Sequence, residues 1–539
     1  MPLASMLPDV HIDDQPIHKL IFRSATRFAQ NVALVEAETG RRYTYTELKI
    51  LSYRFASAVH KRGLVKGTVL ALILPNCPQF LIAFLGCSLC GGITTPVNPH
   101  FTKYEIKNQL LDSSAQFVVT VDYLLESVLA ASKDLSSQIK HVFVVRTDPR
   151  RRLPKNVTDF ENLFKARRES RLPDVEIDTR LDTVWLPYSS GTTGRPKGVE
   201  LTHYNLVSWH FVSVNRGFFL FPTATESWLT YLPLFHIYSF MTQLMALIEG
   251  CQCITLSKFL PELFLKSIQN FKVWFIIAVP PIILFLAKNP IVSNYDLSCL
   301  KLIQVGSSPT GREISEQVMK RLPNLKYFCQ TYGMTEHGIS LLTPPAPPCE
   351  QIPLGSAGIL VSNFKCKIIN TETEEVREPF ERGEICLQSV CVMKGYLNNS
   401  EATDKTIDAA GYLHTGDVGY YDDDGFFYVV DRLKDLLKVK GMQVAPAELE
   451  DVLLSHPEIQ DTAVIGVVDE RNGQLPKAFI VRKANSLLSK EQVLDFMKER
   501  TSAHKQLKGG IEFVHQIPKS NSGKILRRVL QDGERKAKL

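Results

Sequence analysis

Short, wholly apolar runs separated by helical stretches constrain this chain more than any other feature of its 539 residues. Val69-Leu70-Ala71-Leu72-Ile73-Leu74 offers no polar face to water, so a strand built from it must be covered on both sides. Phe117-Val118-Val119-Thr120 and His141-Val142-Phe143-Val144-Val145 carry the same signature, and Gly92-Ile93-Thr94-Thr95-Pro96-Val97 reads as a further strand. Two helical segments accompany them, one before the first strand and one after it. One opens at Tyr45-Thr46-Glu47-Leu48, with Thr46 as its N-cap, and runs toward His60; the other covers residues 76–86. Buried strands alternating with helices imply parallel α/β layers. The pattern repeats over residues 183–344, where Cys253-Ile254-Thr255-Leu256, Phe275-Ile276-Ile277-Ala278-Val279 and Leu300-Lys301-Leu302-Ile303-Gln304-Val305 are strand-like. The basic, proline-bearing stretch 146–171 reads as a surface crossover.

After residue 353 the texture changes. Lys365-Cys366-Lys367-Ile368-Ile369 and Gly383-Glu384-Ile385-Cys386-Leu387 alternate between turn clusters, and Tyr421-Asp422-Asp423-Asp424-Gly425-Phe426-Phe427 is a hairpin cue. These point to a small, antiparallel, barrel-like β-unit. A self-contained α+β piece follows, with a helix at 445–455, strands near 461–467 and 478–482, and a helix at 490–502. A chain of this length exceeds one core. The expected fold is α/β: a large N-terminal domain, residues 1–431, with subdomains at about 18–180, 181–350 and 351–431, then a small mobile α+β C-terminal lid, residues 432–539. The joint falls at Asp431-Arg432-Leu433-Lys434.

A net charge of +6 suits anionic small molecules and gives no nucleic-acid footprint. Cys87 and Cys90 form a lone C-x-x-C, and Cys251 and Cys253 a close pair, without the second pair or spaced histidines of a zinc site. Buried free thiols in a reducing compartment are expected. The first residues lack the charged and apolar regions of a signal peptide, and the longest apolar run, 273–287, is short and holds Pro280-Pro281. A soluble protein is expected. Ala537-Lys538-Leu539 is a close relative of the Ser-Lys-Leu address, so an import receptor and the peroxisome are expected.

The run Tyr188-Ser189-Ser190-Gly191-Thr192-Thr193-Gly194-Arg195-Pro196-Lys197-Gly198-Val199 follows the apolar segment Val184-Trp185-Leu186-Pro187. Its glycines let backbone N–H groups turn toward an anion, its hydroxyls add donors, and Arg195 and Lys197 add charge. It reads as a polyphosphate cradle or as a hydroxyl-rich linker. It lacks the G-x-x-x-x-G-K-[ST] spacing, so no P-loop fold is implied.

Further motifs follow in order. They are Leu232-Pro233-Leu234-Phe235-His236-Ile237-Tyr238, Val305-Gly306-Ser307-Ser308-Pro309, Gln330-Thr331-Tyr332-Gly333-Met334-Thr335-Glu336 and Tyr412-Leu413-His414-Thr415-Gly416-Asp417. Next come Asp431-Arg432-Leu433-Lys434-Asp435, Lys438-Val439-Lys440-Gly441-Met442-Gln443-Val444 and Pro518-Lys519-Ser520-Asn521-Ser522-Gly523-Lys524-Ile525. From about residue 18 to 528 the chain resembles the adenylate-forming superfamily, on the branch of acyl-CoA synthetases, 4-coumarate–CoA ligases and luciferases. The resemblance implies an ATP-dependent acyl-CoA synthetase using Mg²⁺ and coenzyme A. A carboxylate attacks the α-phosphate and expels pyrophosphate; the coenzyme A thiol then attacks the acyl-adenylate and expels AMP. Both steps build negative charge, so fixed cations and N–H donors should dominate catalysis.

By resemblance, Ser189, Ser190, Gly191, Thr192, Thr193, Gly194 and Lys197 hold the β- and γ-phosphates. Thr335 serves the α-phosphate and Glu336 the Mg²⁺; Ser307, Ser308, Pro309, Gln330, Thr331 and Tyr332 flank the adenine. Asp417 takes the ribose hydroxyls, assisted by Arg432. His236, Tyr238, Ser307, Thr331 and Gly333 border the acyl group, with His236 a gate or carbonyl contact. Lys524 is the adenylation lysine. The lid turns about Lys434 and then presents Lys438, Lys440, Gly441 and Gln443 for thioester formation, with Lys258 on the coenzyme A nucleotide.

Two positions depart from the pattern. Thr331 stands where relatives commonly carry Gly, and His337 where they carry a small residue or Thr. A β-branched residue at 331 narrows the acyl wall and points away from hydroxycinnamates, toward an aliphatic or otherwise shaped acid. Rival readings are transfer to a carrier-protein thiol, luciferase-like oxidation of the adenylate, and a catalytically inactive nucleotide or acyl-CoA sensor.

Overall fold

The computed structural model describes residues 2–136, 138–164, 172, 174–189, 196–215, 218–308, 310, 312–343, 353–439, 442–469, 473–503, 505–520 and 523–537, without the side chains of Glu313, Lys438, Met442, Gln443 and 535–537. Of the expected site residues, Ser190, Gly191, Thr192, Thr193, Gly194, Pro309, Lys440 and Gly441 lie outside the described residues, as do Arg195, Lys538 and Leu539.

The apolar runs form the centre of a nine-stranded sheet. Ile93–Pro96, Val69–Ile73, Phe117–Val121 and His141–Val145 pair in parallel, all but their flanks buried. Thr183–Trp185 joins parallel to Ile93–Pro96, and Lys197–Thr202 returns antiparallel beside it. A second sheet runs Phe275–Ala278, Leu302–Val305, Tyr327–Met334 in parallel and then doubles back through Gly338–Leu342. The helix Ile237–Ile248 packs between these layers, where Phe240 stacks on Trp185 with ring centroids 3.7 Å apart and Phe84 meets both rings edge-on.

Strands cross between the two sequence ranges expected to form separate subdomains. Val32–Glu36 pairs in parallel with Gln252–Thr255, which also pairs with Ser227–Thr230. The crossover stretch adds a short strand, Thr158–Asp159, beside His141–Val145. The β-unit is an antiparallel five-stranded sheet: Leu3–Ala4, Phe364–Ile369, Gly383–Ser389, Leu413–Tyr421 and Phe427–Arg432. The small domain is built on the long hairpin of Ile459–Asp469 and Gly473–Arg482; Leu437–Val439, itself paired with Met442–Val444, and Gly510–Phe513 both pair with Gly473–Arg482. Its own apolar cluster includes Val444, Leu449, Ile459, Ile480 and Met497.

Two helix starts differ from expectation. The cap of Tyr45–His60 is Thr44, whose hydroxyl accepts from Glu47 N–H while the Glu47 carboxylate accepts from Thr44 N–H. That reciprocal pair satisfies two orphan donors at once, which Thr46 cannot do from inside the first turn. The helix expected at 76–86 runs Pro78–Leu89, because Pro78 at the first helical position presets φ and sacrifices no needed N–H. Among the described residues the cysteines are free, and burial pushes the Cys90 thiol up to about 12. No described helix is long and apolar enough to cross a membrane.

Candidate active site

The large and small domains together wall a cavity of about 1750 Å³. Ser189, Lys197, His236, Tyr238, Ser307, Ser308, Gln330, Thr331, Tyr332, Gly333, Thr335, Glu336, Asp417, Arg432, Lys434 and Lys524 all line it, although they come from distant parts of the chain. Much of this wall lies just past the C-terminal ends of Leu302–Val305 and neighbouring parallel strands, the usual ligand position in an open α/β sheet.

Asp417 and Arg432 are register partners in the hairpin of Leu413–Tyr421 and Phe427–Arg432, which places Arg432 Nε 3.4 Å from Asp417 Oδ1. On its other oxygen Asp417 accepts from the Tyr332 hydroxyl at 2.7 Å. Burial raises the Asp417 carboxyl above its ordinary range, against the pull of Arg432 and the Tyr332 hydrogen bond. A carboxylate held by one cation and one hydroxyl donor is a ready acceptor for a pair of ligand hydroxyls.

Ser307 follows the strand Leu302–Val305 with φ of 77°, a left-handed conformation that costs a non-glycine residue energy and recurs at ligand sites. Gln330 holds this loop: its Oε1 accepts from Thr310 N–H at 3.0 Å and its Nε2 donates to Thr310 carbonyl at 3.1 Å. The adenine role expected for Gln330 is thus joined by a backbone clamp that spends both ends of its amide. Ser189 Oγ is buried with no hydrogen-bond partner among the described residues, a donor left over for a ligand.

The side of the cavity expected to border the acyl group is tight. A side chain at Gly306 would meet Thr331 Cγ2 and Tyr238 Cζ, each 3.0 Å from its Cβ. Thr331 is turned this way because its Oγ1 donates to the Leu341 carbonyl at 2.8 Å, and the Tyr238 hydroxyl reaches the Gln304 carbonyl at 3.2 Å. His337 does not line the cavity; it is fully buried behind the wall, with its ring 5.8 Å from that of Tyr332. His236 caps the helix Ile237–Ile248, its Nδ1 accepting from Tyr238 N–H at 3.4 Å. Burial and the Lys524 ammonium push His236 down to about 3, so it is neutral at pH 7 and carries its proton on Nε2.

Lys524 comes from the small domain on a tight turn, closed by Ser520 N–H to Lys524 carbonyl at 2.8 Å and Lys524 N–H to Ser520 Oγ at 3.1 Å. Lys519 pairs with Asp461 at 2.7 Å behind the turn. In front, Gly523 has φ of 81° and sits so close to the large domain that a Cβ would lie 2.9 Å from Pro281 Cδ. Burial and the Arg432 charge lower the Lys524 amine to about 8, against the opposite pull of Asp417 and Glu336. At the joint, Asp431 Oδ2 accepts from Ala447 N–H at 3.1 Å, capping the first turn of Pro446–Leu454 across the domain boundary. Lys434 is exposed beside it, its amine lowered by burial of its surroundings and kept partly up by Asp435.

Glu336 is 4% exposed and accepts from the Tyr396 hydroxyl at 3.0 Å. Among the described residues it has no ion-pair partner, so a buried carboxylate is left with neutral donors alone, a state that fits a hard cation brought in with polyphosphate. Lys258 stands apart, exposed beyond Gln252–Thr255 and outside the cavity wall. Lys438 and Gln443 are register partners in the hairpin of Leu437–Val439 and Met442–Val444. Sequence reasoning missed Tyr396, and also Glu384, which accepts from Gly416 N–H at 2.9 Å and from His414 Nδ1 at 3.0 Å and so stiffens the turn before Asp417. Tyr396 lies in no motif with recognisable spacing; Glu384 was visible only as a strand residue.

Residues 21–397 match the family described as AMP-binding enzyme, and 448–524 its C-terminal domain. The chain is 40% identical to 4-coumarate–CoA ligase 2 of Petroselinum crispum over 532 residues, 98% of this chain and 96% of that protein. It is equally 40% identical to 4-coumarate–CoA ligase 1 of Solanum tuberosum, over 98% and 95% of the two chains. Among solved structures, o-succinylbenzoate CoA synthetase from Bacillus subtilis with its acyl-adenylate superposes with TM-score 0.79 at 28% identity, covering 96% and 98%. The anthranilate CoA ligase AuaEII with anthranoyl-AMP shares the fold at TM-score 0.87 and 23% identity, covering 96% and 97%.

Proposed function

The chain belongs to the AMP-binding enzyme family and is an ATP-dependent, AMP-forming acid–CoA ligase, and from that premise we propose how its residues divide the work. The acid's carboxylate oxygen bonds to the α-phosphorus of ATP as the bond to the β-phosphate breaks and pyrophosphate leaves. Lys524 lies against the developing charge; in support, its turn is docked into the same cavity as Asp417, Glu336 and His236. That docking is the observation that carries the reading. Asp417, oriented by Arg432 and Tyr332, takes the ribose hydroxyls. Ser189 and Lys197 hold the phosphates at one end, and His236 Nε2–H donates toward the carboxylate at the other. Glu336 is the carboxylate that would hold Mg²⁺, which neutralises phosphate charge when bound.

In the second half-reaction the coenzyme A thiol loses its proton and bonds to the acyl carbon as the bond to AMP breaks. Lys438 and Gln443, on one hairpin of the small domain, and Lys258 serve this step after the lid turns about Lys434. The acid is aliphatic or otherwise slimmer than a hydroxycinnamate, a reading supported by Thr331 and Tyr238 crowding Gly306. The terminal order Ala537-Lys538-Leu539 supports a peroxisomal address read by an import receptor.

A panel of carboxylic acids, assayed for AMP release with and without coenzyme A, tests the reading. Release that needs coenzyme A and favours slim acids is expected. Release without coenzyme A points to another acceptor, and none with any acid points to a sensor.

A further inference from the structure

Tyr396 lies between two opposite charges. It occupies the short strand Gly395–Tyr396, which pairs antiparallel with Lys197–Thr202 through Val199. Its hydroxyl donates to Glu336 Oε1 at 3.0 Å, while the Lys197 ammonium sits 4.2 Å from the centroid of its ring. Glu336 is further fixed by its carbonyl, which accepts from Met393 N–H at 2.7 Å. Among the described residues neither Lys197 nor Glu336 has an ion-pair partner, although both face one cavity and the tyrosine touches both.

Opposite charges that face one cavity attract strongly once water is excluded, and a direct pair would occupy the two groups with each other. An aromatic ring offers the ammonium a partner without neutralising it, and a phenol offers the carboxylate a hydrogen bond without a charge. Burial and the neighbouring carboxylate raise the Tyr396 phenol, which keeps its proton on and its donor role intact.

We propose that Tyr396 is a positioning residue that insulates Lys197 from Glu336, leaving the ammonium free for the phosphates of ATP and the carboxylate free for the divalent cation that accompanies them. The proposal rests on the nucleotide reading of the cavity. Its consequence is asymmetric: removing the hydroxyl loosens only the carboxylate, whereas removing the ring lets the two charges collapse onto each other.

The experiment uses the full chain, Mn²⁺ as the metal probe and a non-hydrolysable ATP analogue. Free Mn²⁺ is followed by electron paramagnetic resonance and analogue binding by calorimetry. Tyr396→Phe should keep analogue affinity within about twofold while weakening Mn²⁺ by about tenfold or more, the scale of one hydrogen bond to a charged group. Tyr396→Leu should weaken both by about tenfold or more, and adding Glu336→Gln should restore the analogue affinity because the competing charge is gone. Wild-type Mn²⁺ and analogue binding in both single variants, or no recovery in the double variant, overturns the proposal. If Tyr396→Leu loses its cooperative melt, the near-isosteric Tyr396→Phe decides alone. An unaltered chain that binds neither probe overturns the nucleotide reading and this proposal with it.

Discussion

Tyr332 donates to Asp417 across 2.7 Å, joining the strand Tyr327–Met334 of the second sheet to the hairpin that leads into the small domain. Because Arg432 is the register partner of Asp417, one carboxylate is gripped from the sheet on one side and from the joint on the other. In the proposed reading, ribose recognition and the start of the lid therefore share a side chain.

Asp417→Ala should raise KM for ATP and lower kcat/KM for it by about a hundredfold or more, since Tyr332 and Arg432 both lose their partner. Tyr332→Phe should cost about tenfold or less and fall on the same parameter. Steady-state kinetics with ATP varied and the acid saturating checks both.

Lys524→Ala should lower pyrophosphate formation by about a hundredfold or more while thioester formation from preformed acyl-adenylate stays near wild type. Separate assays of the two half-reactions decide it; equal losses in both would remove Lys524 from its adenylation role.

The pH dependence has a definite sign. In its proposed role Lys524 acts as the ammonium, and burial with the Arg432 charge lowers its amine to about 8, so the first half-reaction should fall as pH rises through about 8. Thioester formation from preformed adenylate should lack that limb. For stability, the unfolded amine keeps its proton up to the usual 10.5 while the folded one has lost it above about 8, so this group makes the fold gain stability as pH rises through that window. Rate profiles of the two half-reactions and melts across the same pH range provide the check.

Gly523→Val should hold the Lys524 turn away from Pro281, because φ of 81° and a 2.9 Å approach leave no room for a side chain. Pyrophosphate formation should drop by about tenfold or more, with melting of the large domain unchanged. Calorimetric melting beside half-reaction kinetics separates this outcome from general unfolding.

Thr331→Gly removes the methyl that closes on Gly306. It should raise kcat/KM for an aromatic acid relative to an aliphatic one by about tenfold, the scale of one buried methyl-sized group in a pocket. Competition between two acids measured by product ratio reads this directly.

Local features were legible where one physical cause dominated. The strand His141–Val145 follows the apolar run residue for residue because β-branched and aromatic side chains buried on both faces leave little choice. The Thr44 cap was open to reading too, since Glu47 follows it by three residues, but the nearer Thr46 was the one expected. The cavity residues Lys524, Asp417 and Glu336 were found through motif order, which states that they meet without stating how. The clamp of Gln330 on Thr310, the neutral His236 and the tyrosine beneath Lys197 depend on side-chain direction across elements far apart in sequence, and no periodicity encodes that.

The sheet order also sets a timetable. Val32–Glu36 has its partner in Gln252–Thr255, and Leu3–Ala4 has its partner in Phe364–Ile369. At a ribosomal pace of roughly 5–20 residues per second, the first strand of the chain waits tens of seconds for the segment that covers it. Its synthesis leaves early strands with open edges for that long, so chaperone occupancy during translation, more than equilibrium stability, should govern how much active enzyme a cell obtains. Fragments cut between residues 36 and 252 should aggregate, whereas the small domain, with its own sheet and core, closes without waiting for a distant partner.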